Sequence, residues 1–204
     1  MPDQLALFSE EVLAPFTELE STRESALKCE ACQLHSGRKN VVFGKGLAER
    51  PPIMFIGEAP GSNEDETGDP FVGRAGKMLD QLLEAIGMVR SEVYVSNCVK
   101  CRPPGNRVPD PRELAACATF IVREMNVVRP HVICLLGMTA ARNILGVRAK
   151  ALGTLRGKPY FWRTVPVRVT YHPAYLLRAP DKKGEVIDDF KLLKTILSRQ
   201  GGSK

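Results

Sequence analysis

Four short apolar runs rich in β-branched and aromatic residues recur along the chain, at 53–56 (IMFI), 93–96 (VYVS), 132–136 (VICLL) and 167–170 (VRVT). The stretches between them have helical periodicity. Leu79, Leu82, Leu83 and Ile86 recur at helical spacing, as do Leu114, Ala115, Ala118, Ile121 and Val122. Residues 138–145 offer a shorter helix and 187–197 a terminal one. Strands alternating with helices predict a parallel sheet covered on both faces. The expected architecture is therefore a three-layer α/β/α fold with a central four-stranded, mostly parallel sheet.

The length of 204 residues suits one domain with a substantial core. Residues 1–12 read as a flexible tail, 13–200 as a single domain and 201–204 as a second flexible tail. Within the domain, 13–32 reads as a helix running into the first cysteine pair. In open parallel sheets, ligands bind beyond the carboxyl ends of the strands. Gly57-Glu58-Ala59-Pro60-Gly61 follows the first run, Asn97 the second, Gly137 the third and His172-Pro173 the fourth. Groups suited to chemistry are thus expected along one edge of the sheet.

The chain carries 29 basic against 23 acidic residues, a formal charge of +6 that favours a polyanionic partner without requiring one. Asp3, Glu10 and Glu11 stand where a secretion signal would be basic and then apolar. No run is long and apolar enough to cross a membrane. A cytoplasmic protein is expected, and there six cysteines are metal ligands or buried thiols before they are disulfides. Cys29 and Cys32 form a C-x2-C pair, whereas Cys98 and Cys134 sit in or beside apolar strand runs and read as buried thiols. Four thiolates suit zinc or an iron–sulfur cluster, and spacing leaves both open.

The segment 57–76, GEAPGSNEDETGDPFVGRAG, closely resembles the first motif of the family 4 uracil-DNA glycosylases, the iron–sulfur members of that superfamily. The segment 97–107, NCVKCRPPGNR, resembles their second block, and 172–178, HPAYLLR, their last. Three motifs in order, together with the cysteines, span most of the chain. The resemblance implies removal of uracil from DNA by hydrolysis of the N-glycosidic bond, leaving an abasic site. It also implies a [4Fe–4S] cluster on Cys29, Cys32, Cys101 and Cys117.

The resemblance assigns roles as well. Phe71 stacks on the extruded uracil, and Asn97 reads its edge. Glu64 lies beside C5 and excludes the methyl group of thymine. His172 stabilises the departing anion. Glu58 orients water or the cationic sugar, and Asn106 helps place that water. Ala59 stands where better-known relatives have an aspartate. Ala59 and Gly61 allow close approach of DNA, with the Gly61 amide free to bind it. Leu176 is the wedge that enters the base stack. Lys100, Arg102, Arg107 and Arg178 are phosphate contacts.

Each residue alone has a plainer reading. Glu58 is then a carboxylate at a helix N-terminus, His172 a core histidine, and Phe71 and Leu176 core side chains. The alternative function is a non-catalytic iron–sulfur DNA-binding or redox module, marked by loss of Glu58, Asn97 or His172; all three are present. A relative that bonds covalently to the abasic site needs an extra histidine, and 105–112 contains none. Gln4-Leu5-Ala6-Leu7-Phe8 resembles the peptide by which bacterial repair proteins dock on the β sliding clamp. The protein is expected to act as a monomer.

Overall fold

The structure, a computed structural model, describes residues 19–201. The clamp-like peptide, the expected N-terminal tail and residues 202–204 lie outside the described residues. Among the described residues, eight α-helices and six strands follow in chain order: α1 (Leu19–Leu27), α2 (Leu34–Gly37), β1 (Lys45–Gly46), β2 (Ile53–Gly57), α3 (Ser62–Thr67), α4 (Arg74–Glu84), β3 (Tyr94–Asn97), α5 (Pro111–Val128), β4 (Val132–Leu136), α6 (Met138–Leu145), β5 (Tyr160–Trp162), β6 (Val165–Thr170), α7 (Pro173–Leu176) and α8 (Lys183–Gly201).

The strands form one sheet in the order β1-β3-β2-β4-β6-β5. The four expected strands are its parallel centre. Two further strands, β1 and β5, close the edges in antiparallel fashion. At two and three residues they are too short for a period-2 pattern, so the sheet has six strands where four were expected.

Successive side chains of the central strands point to opposite faces. Ile53, Phe55, Val93, Val95, Cys134 and Leu136 pack under Leu79, Leu82 and Leu83 of α4 and Val186, Phe190 and Leu193 of α8. Met54, Ile56, Tyr94, Ile133, Leu135, Val167 and Val169 pack under α5 and α6. Both faces are covered, which is why these strands read as unbroken apolar runs.

Helix ends follow local chemistry. Asp110 accepts from the Arg112 amide at 2.8 Å and, with Glu113, forms a capping box that starts α5, with Pro111 in its first turn. The expected helix over 13–32 stops at Leu27. Residues 13–18 of it lie outside the described residues. Arg38 ends it: the guanidinium donates to the Leu27 carbonyl at 3.4 Å and the Cys29 carbonyl at 2.7 Å, capping groups that another helical turn would have used. Cys29 and Cys32 therefore sit in the turn after α1.

The sheet depends on α8 for one of its covers. Phe190 is fully buried and stacks on Phe55 with ring centroids 5.3 Å apart. Phe190→Ala should cost about 3–5 kcal/mol, read as a lowered midpoint of urea unfolding; a loss under about 1 kcal/mol would refute this packing.

Candidate active site

The four parallel strands end at one height. Gly57 pairs with Asn97 across β2 and β3, Ile56 with Leu135 across β2 and β4, and Leu136 with Thr170 across β4 and β6. The chain leaves β2 and β4 toward opposite sides of the sheet, which opens a crevice between their ends. Glu58, just after β2, and Thr139, at the start of α6, meet across that crevice. The Thr139 hydroxyl donates to Glu58 Oε2 at 2.5 Å. Sequence reasoning missed Thr139, because no local pattern joins residues 81 positions apart.

Gly57 is the floor of the site. A Cβ there would fall 2.4 Å from Asn97 Oδ1 and 2.6 Å from Phe71 Cζ, so only glycine lets both side chains converge. Asn97 is 2% exposed, and its Oδ1 has no hydrogen-bond partner among the described residues. A buried acceptor left open costs about 1–3 kcal/mol, and such a group marks a place for a ligand donor.

Phe71 is buried beside it, with a backbone φ of 54° in the left-handed region. A phenylalanine is held there only when its surroundings insist. Arg90 Nη2 donates to the Phe71 carbonyl at 3.1 Å, and α4 passes so close that a Cβ on Gly76 would lie 1.7 Å from that oxygen. The ring is stacked on His172, centroids 5.7 Å apart.

His172 caps α7. Its Nδ1 accepts from the Ala174 amide at 3.1 Å, so the neutral ring carries its proton on Nε2. Burial, aided by the positive charge of Arg178, pushes its pKa down to about 4. The ring is thus a neutral donor at ordinary pH. Gly137, at φ 95°, lets it approach: a Cβ there would lie 3.2 Å from His172 Cβ.

Other expected residues are held by partners of their own. Glu64 accepts from the Gly61 amide at 3.1 Å and the Gly73 amide at 2.8 Å. It ties the ends of the first motif together and enters the site as a fixed brace. The Gly61 amide is consequently committed to Glu64 and is not free for DNA. Ala59 is half-buried against the cluster of side chains around the cysteines. Asn106 is exposed on a turn at φ 57°, where its Oδ1 accepts from Arg102 Nε at 2.7 Å.

Leu176 is 1% exposed and belongs to the core under α4 and α8, so it is not a free wedge; Leu177 at 42% and Tyr175 at 36% are the exposed side chains of that segment. One residue of helical rotation decides which leucine faces out. Among the expected phosphate contacts, Lys100 is 1% exposed and Arg107 grips Glu113 through both terminal nitrogens, at 2.8 and 2.7 Å. Arg102 and Arg178 remain partly or fully at the surface.

The four expected ligand cysteines line one small cavity, walled also by Ala26, Arg38 and Phe120. Among the described residues no three His, Cys, Asp or Glu side chains converge on a single ion. A cubane cluster asks for something different, one thiolate at each of four irons around a larger body. Two donors address the sulfurs: Arg38 Nη1 reaches Cys101 Sγ at 3.3 Å, and the Lys100 amide reaches Cys117 Sγ at 3.3 Å. Such bonds stabilise metal-bound thiolates. Arg38 and Lys100 were not legible as partners of this cavity. Cys98 and Cys134 are buried in the core, as expected, and burial pushes the Cys98 thiol up to about 12.

Comparison with known proteins agrees with this geometry. Residues 43–191 match the profile of the uracil DNA glycosylase superfamily. The chain is 41% identical over 189 residues to the type-4 uracil-DNA glycosylase of Thermotoga maritima, covering 90% of this chain and 96% of that protein. It is 40% identical over 182 residues to the type-4 uracil-DNA glycosylase of Pyrobaculum aerophilum, covering 86% and 92%. A type-5 uracil-DNA glycosylase of the same archaeon is more distant, at 29% over 140 residues. The profile match across the site-bearing strands and the nearly full-length similarity together establish that this chain belongs to the type-4 uracil-DNA glycosylases of the uracil-DNA glycosylase superfamily.

Proposed function

We propose that the protein hydrolyses the N-glycosidic bond of deoxyuridine in DNA, releasing uracil and leaving an abasic site. The observation that carries this reading is the open acceptor of Asn97 beside Phe71 and the neutral His172. A carboxamide offers a donor and an acceptor side by side. Uracil presents N3–H and O4, which match Nδ2–H and Oδ1 in the complementary sense. Cytosine presents an acceptor and a donor at the same positions and would leave both unpaired.

The base reaches such a pocket only after extrusion from the stack, at a cost of a few kcal/mol. Stacking on Phe71, worth about 1–3 kcal/mol, offsets part of this. We assign the side chain that fills the gap to Leu177 in place of Leu176, on the ground of its exposure. The C1′–N1 bond breaks with its electron pair leaving on uracil. His172 Nε2–H donates to O2, where that charge accumulates. Glu58, oriented by Thr139, holds the water whose oxygen bonds to C1′ and accepts its proton as the sugar is attacked. Glu64 fixes the shape of the loop around them.

Cys29, Cys32, Cys101 and Cys117 are assigned as the holders of a [4Fe–4S] cluster. When bound, it supplies a four-point crosslink between the turn after α1, the loop after β3 and α5. The reading further takes the protein as a cytoplasmic monomer; no helix among the described residues is long and apolar enough to cross a membrane. Docking of Gln4, Leu5, Leu7 and Phe8 on a sliding clamp is part of the same proposal.

Incubation with a uracil-containing oligonucleotide followed by alkaline cleavage tests the activity. Strand scission is expected, with the rate lowered roughly 10²–10³-fold by His172→Ala and roughly 10²–10⁴-fold by Glu58→Gln. Undiminished scission in a variant carrying both changes would defeat the mechanism. Iron analysis tests the cluster: Cys101→Ala should lose iron, while Cys98→Ala and Cys134→Ala keep it.

The histidine makes a pH prediction. Because its folded pKa lies near 4, below the ordinary 6.5, the unfolded chain takes up this proton first as pH falls. His172 should then lower stability between about pH 6.5 and 4 and have no effect above that window. It should also stay neutral above about pH 5. Its ring resonances in an NMR titration should not move between pH 5.5 and 8; a midpoint near 6.5 would refute the assignment.

A further inference from the structure

Lys100 is a charged residue buried in the core at 1% exposure, three positions beyond the end of β3 and next to one of the cavity cysteines. Its ammonium makes two hydrogen bonds and one ion pair. Nζ donates to Ser96 Oγ at 2.7 Å and to the Asn97 carbonyl at 2.9 Å, and pairs with Glu124 Oε1 at 2.5 Å. Glu124 is itself fully buried on α5. The Phe43 ring covers the ammonium, its centroid 5.5 Å away.

The backbone of Lys100 is gripped as well. Its amide donates to Cys117 Sγ at 3.3 Å, and its carbonyl accepts from the Val42 amide at 2.8 Å. The intervening residues are tied to the other side of the site: the Cys98 amide donates to the Gly57 carbonyl at 3.0 Å and the Val99 amide to the Glu58 carbonyl at 3.3 Å.

We propose that Lys100 is a positioning residue that transmits the geometry of the cysteine cavity to Asn97, so that cluster occupancy sets how faithfully the pocket reads its base. The proposal rests on the reading of Asn97 and of the cysteines given above. Stability alone does not account for this arrangement. A buried ion pair can usually be replaced by apolar side chains of similar size at no loss, or with a gain. Orientation is what the pair supplies. Asn97 discriminates by direction, and its amide must be held to within about 0.5 Å. A hydrogen bond to its own carbonyl fixes the peptide plane from which that side chain springs. Cys101 follows Lys100 in the chain, and Cys117 accepts from its amide, so four thiolates drawn onto one cluster hold Lys100 at both ends.

The test compares the iron-loaded wild type with Lys100→Met/Glu124→Leu, a pair that leaves no charge buried. Iron content and melting temperature should match or exceed those of the wild type. Affinity for free uracil, measured by calorimetry, should fall roughly tenfold or more, the scale of losing a supporting hydrogen bond behind a ligand-holding residue. The ratio of cleavage at uracil to cleavage at cytosine should fall with it. Uracil affinity and ratio within about twofold of wild type in a folded, iron-loaded variant would overturn the proposal.

Should that variant fail to fold, Lys100→Gln/Glu124→Gln takes its place with the same expectations, since glutamine is polar but too short to reach the Asn97 carbonyl. Asn97→Ala separates the two readings. If it weakens uracil binding and the Lys100 variants do not, the link alone falls. If Asn97→Ala itself leaves uracil affinity intact, the base-reading role and the link are both overturned. In the wild type, removal of iron by a chelator should weaken uracil affinity, and in the Lys100 variants it should add little further. Equal affinity with and without iron in the wild type would contradict the coupling.

Discussion

Parallel pairing of β2 with both β3 and β4 sets the height of everything in the site. Because Gly57 lies opposite Asn97 and Leu136 opposite Thr170, the residues that follow these strands emerge together. A shift of one residue in any pairing would turn that strand's apolar side chains from one core to the other. The two cores are large and apolar, so the register is strongly held. The chemistry inherits this rigidity without supplying any of it.

Close approach is the second constraint. Gly57, Gly76 and Gly137 each stand where a single carbon would collide with or crowd a site residue. Gly57 lets Asn97 and Phe71 converge, Gly76 lets α4 close on the Phe71 backbone, and Gly137 admits His172. Phe71 accepts a left-handed backbone in return, held by Arg90 from one side and α4 from the other. The site is therefore shaped before any base arrives. That suits a reaction whose charge is stabilised by fixed dipoles rather than by rearrangement.

Beneath the site, the buried Lys100–Glu124 pair joins the sheet to α5 and to the cysteine cavity. Arg38 performs a related task on the other wall, ending α1 and addressing Cys101. Both side chains are cations that donate to backbone oxygen, and each residue also donates to a cysteine sulfur, Arg38 through its guanidinium and Lys100 through its amide. Basic residues near a nucleic-acid motif are thus of two kinds, and burial separates them. Lys100 was expected among the phosphate contacts because its neighbours in sequence are Arg102 and Arg107. Its side chain instead turns inward to an acid 24 residues away.

The sequence by itself determined the layered α/β fold, the four central strands, the edge on which the site lies and the family motifs. These are local properties: apolar periodicity, turn residues and short motifs are written in contiguous residues. It determined that Glu58, Asn97 and His172 stand at or just after strand ends, that Phe71 lies on a loop, and which two cysteines are plain core. Only the tertiary structure decided the rest. The edge strands β1 and β5 form because a neighbour offers them hydrogen bonds, not because two or three residues favour a strand. Leu176 faces inward and Leu177 outward because α4 and α8 cover one side of α7. Asn106 faces Arg102, Glu64 braces two backbone amides, and Glu58 meets Thr139, because each partner arrives from a separate segment. Side-chain direction depends on what lies opposite, and what lies opposite is settled only when the chain has folded.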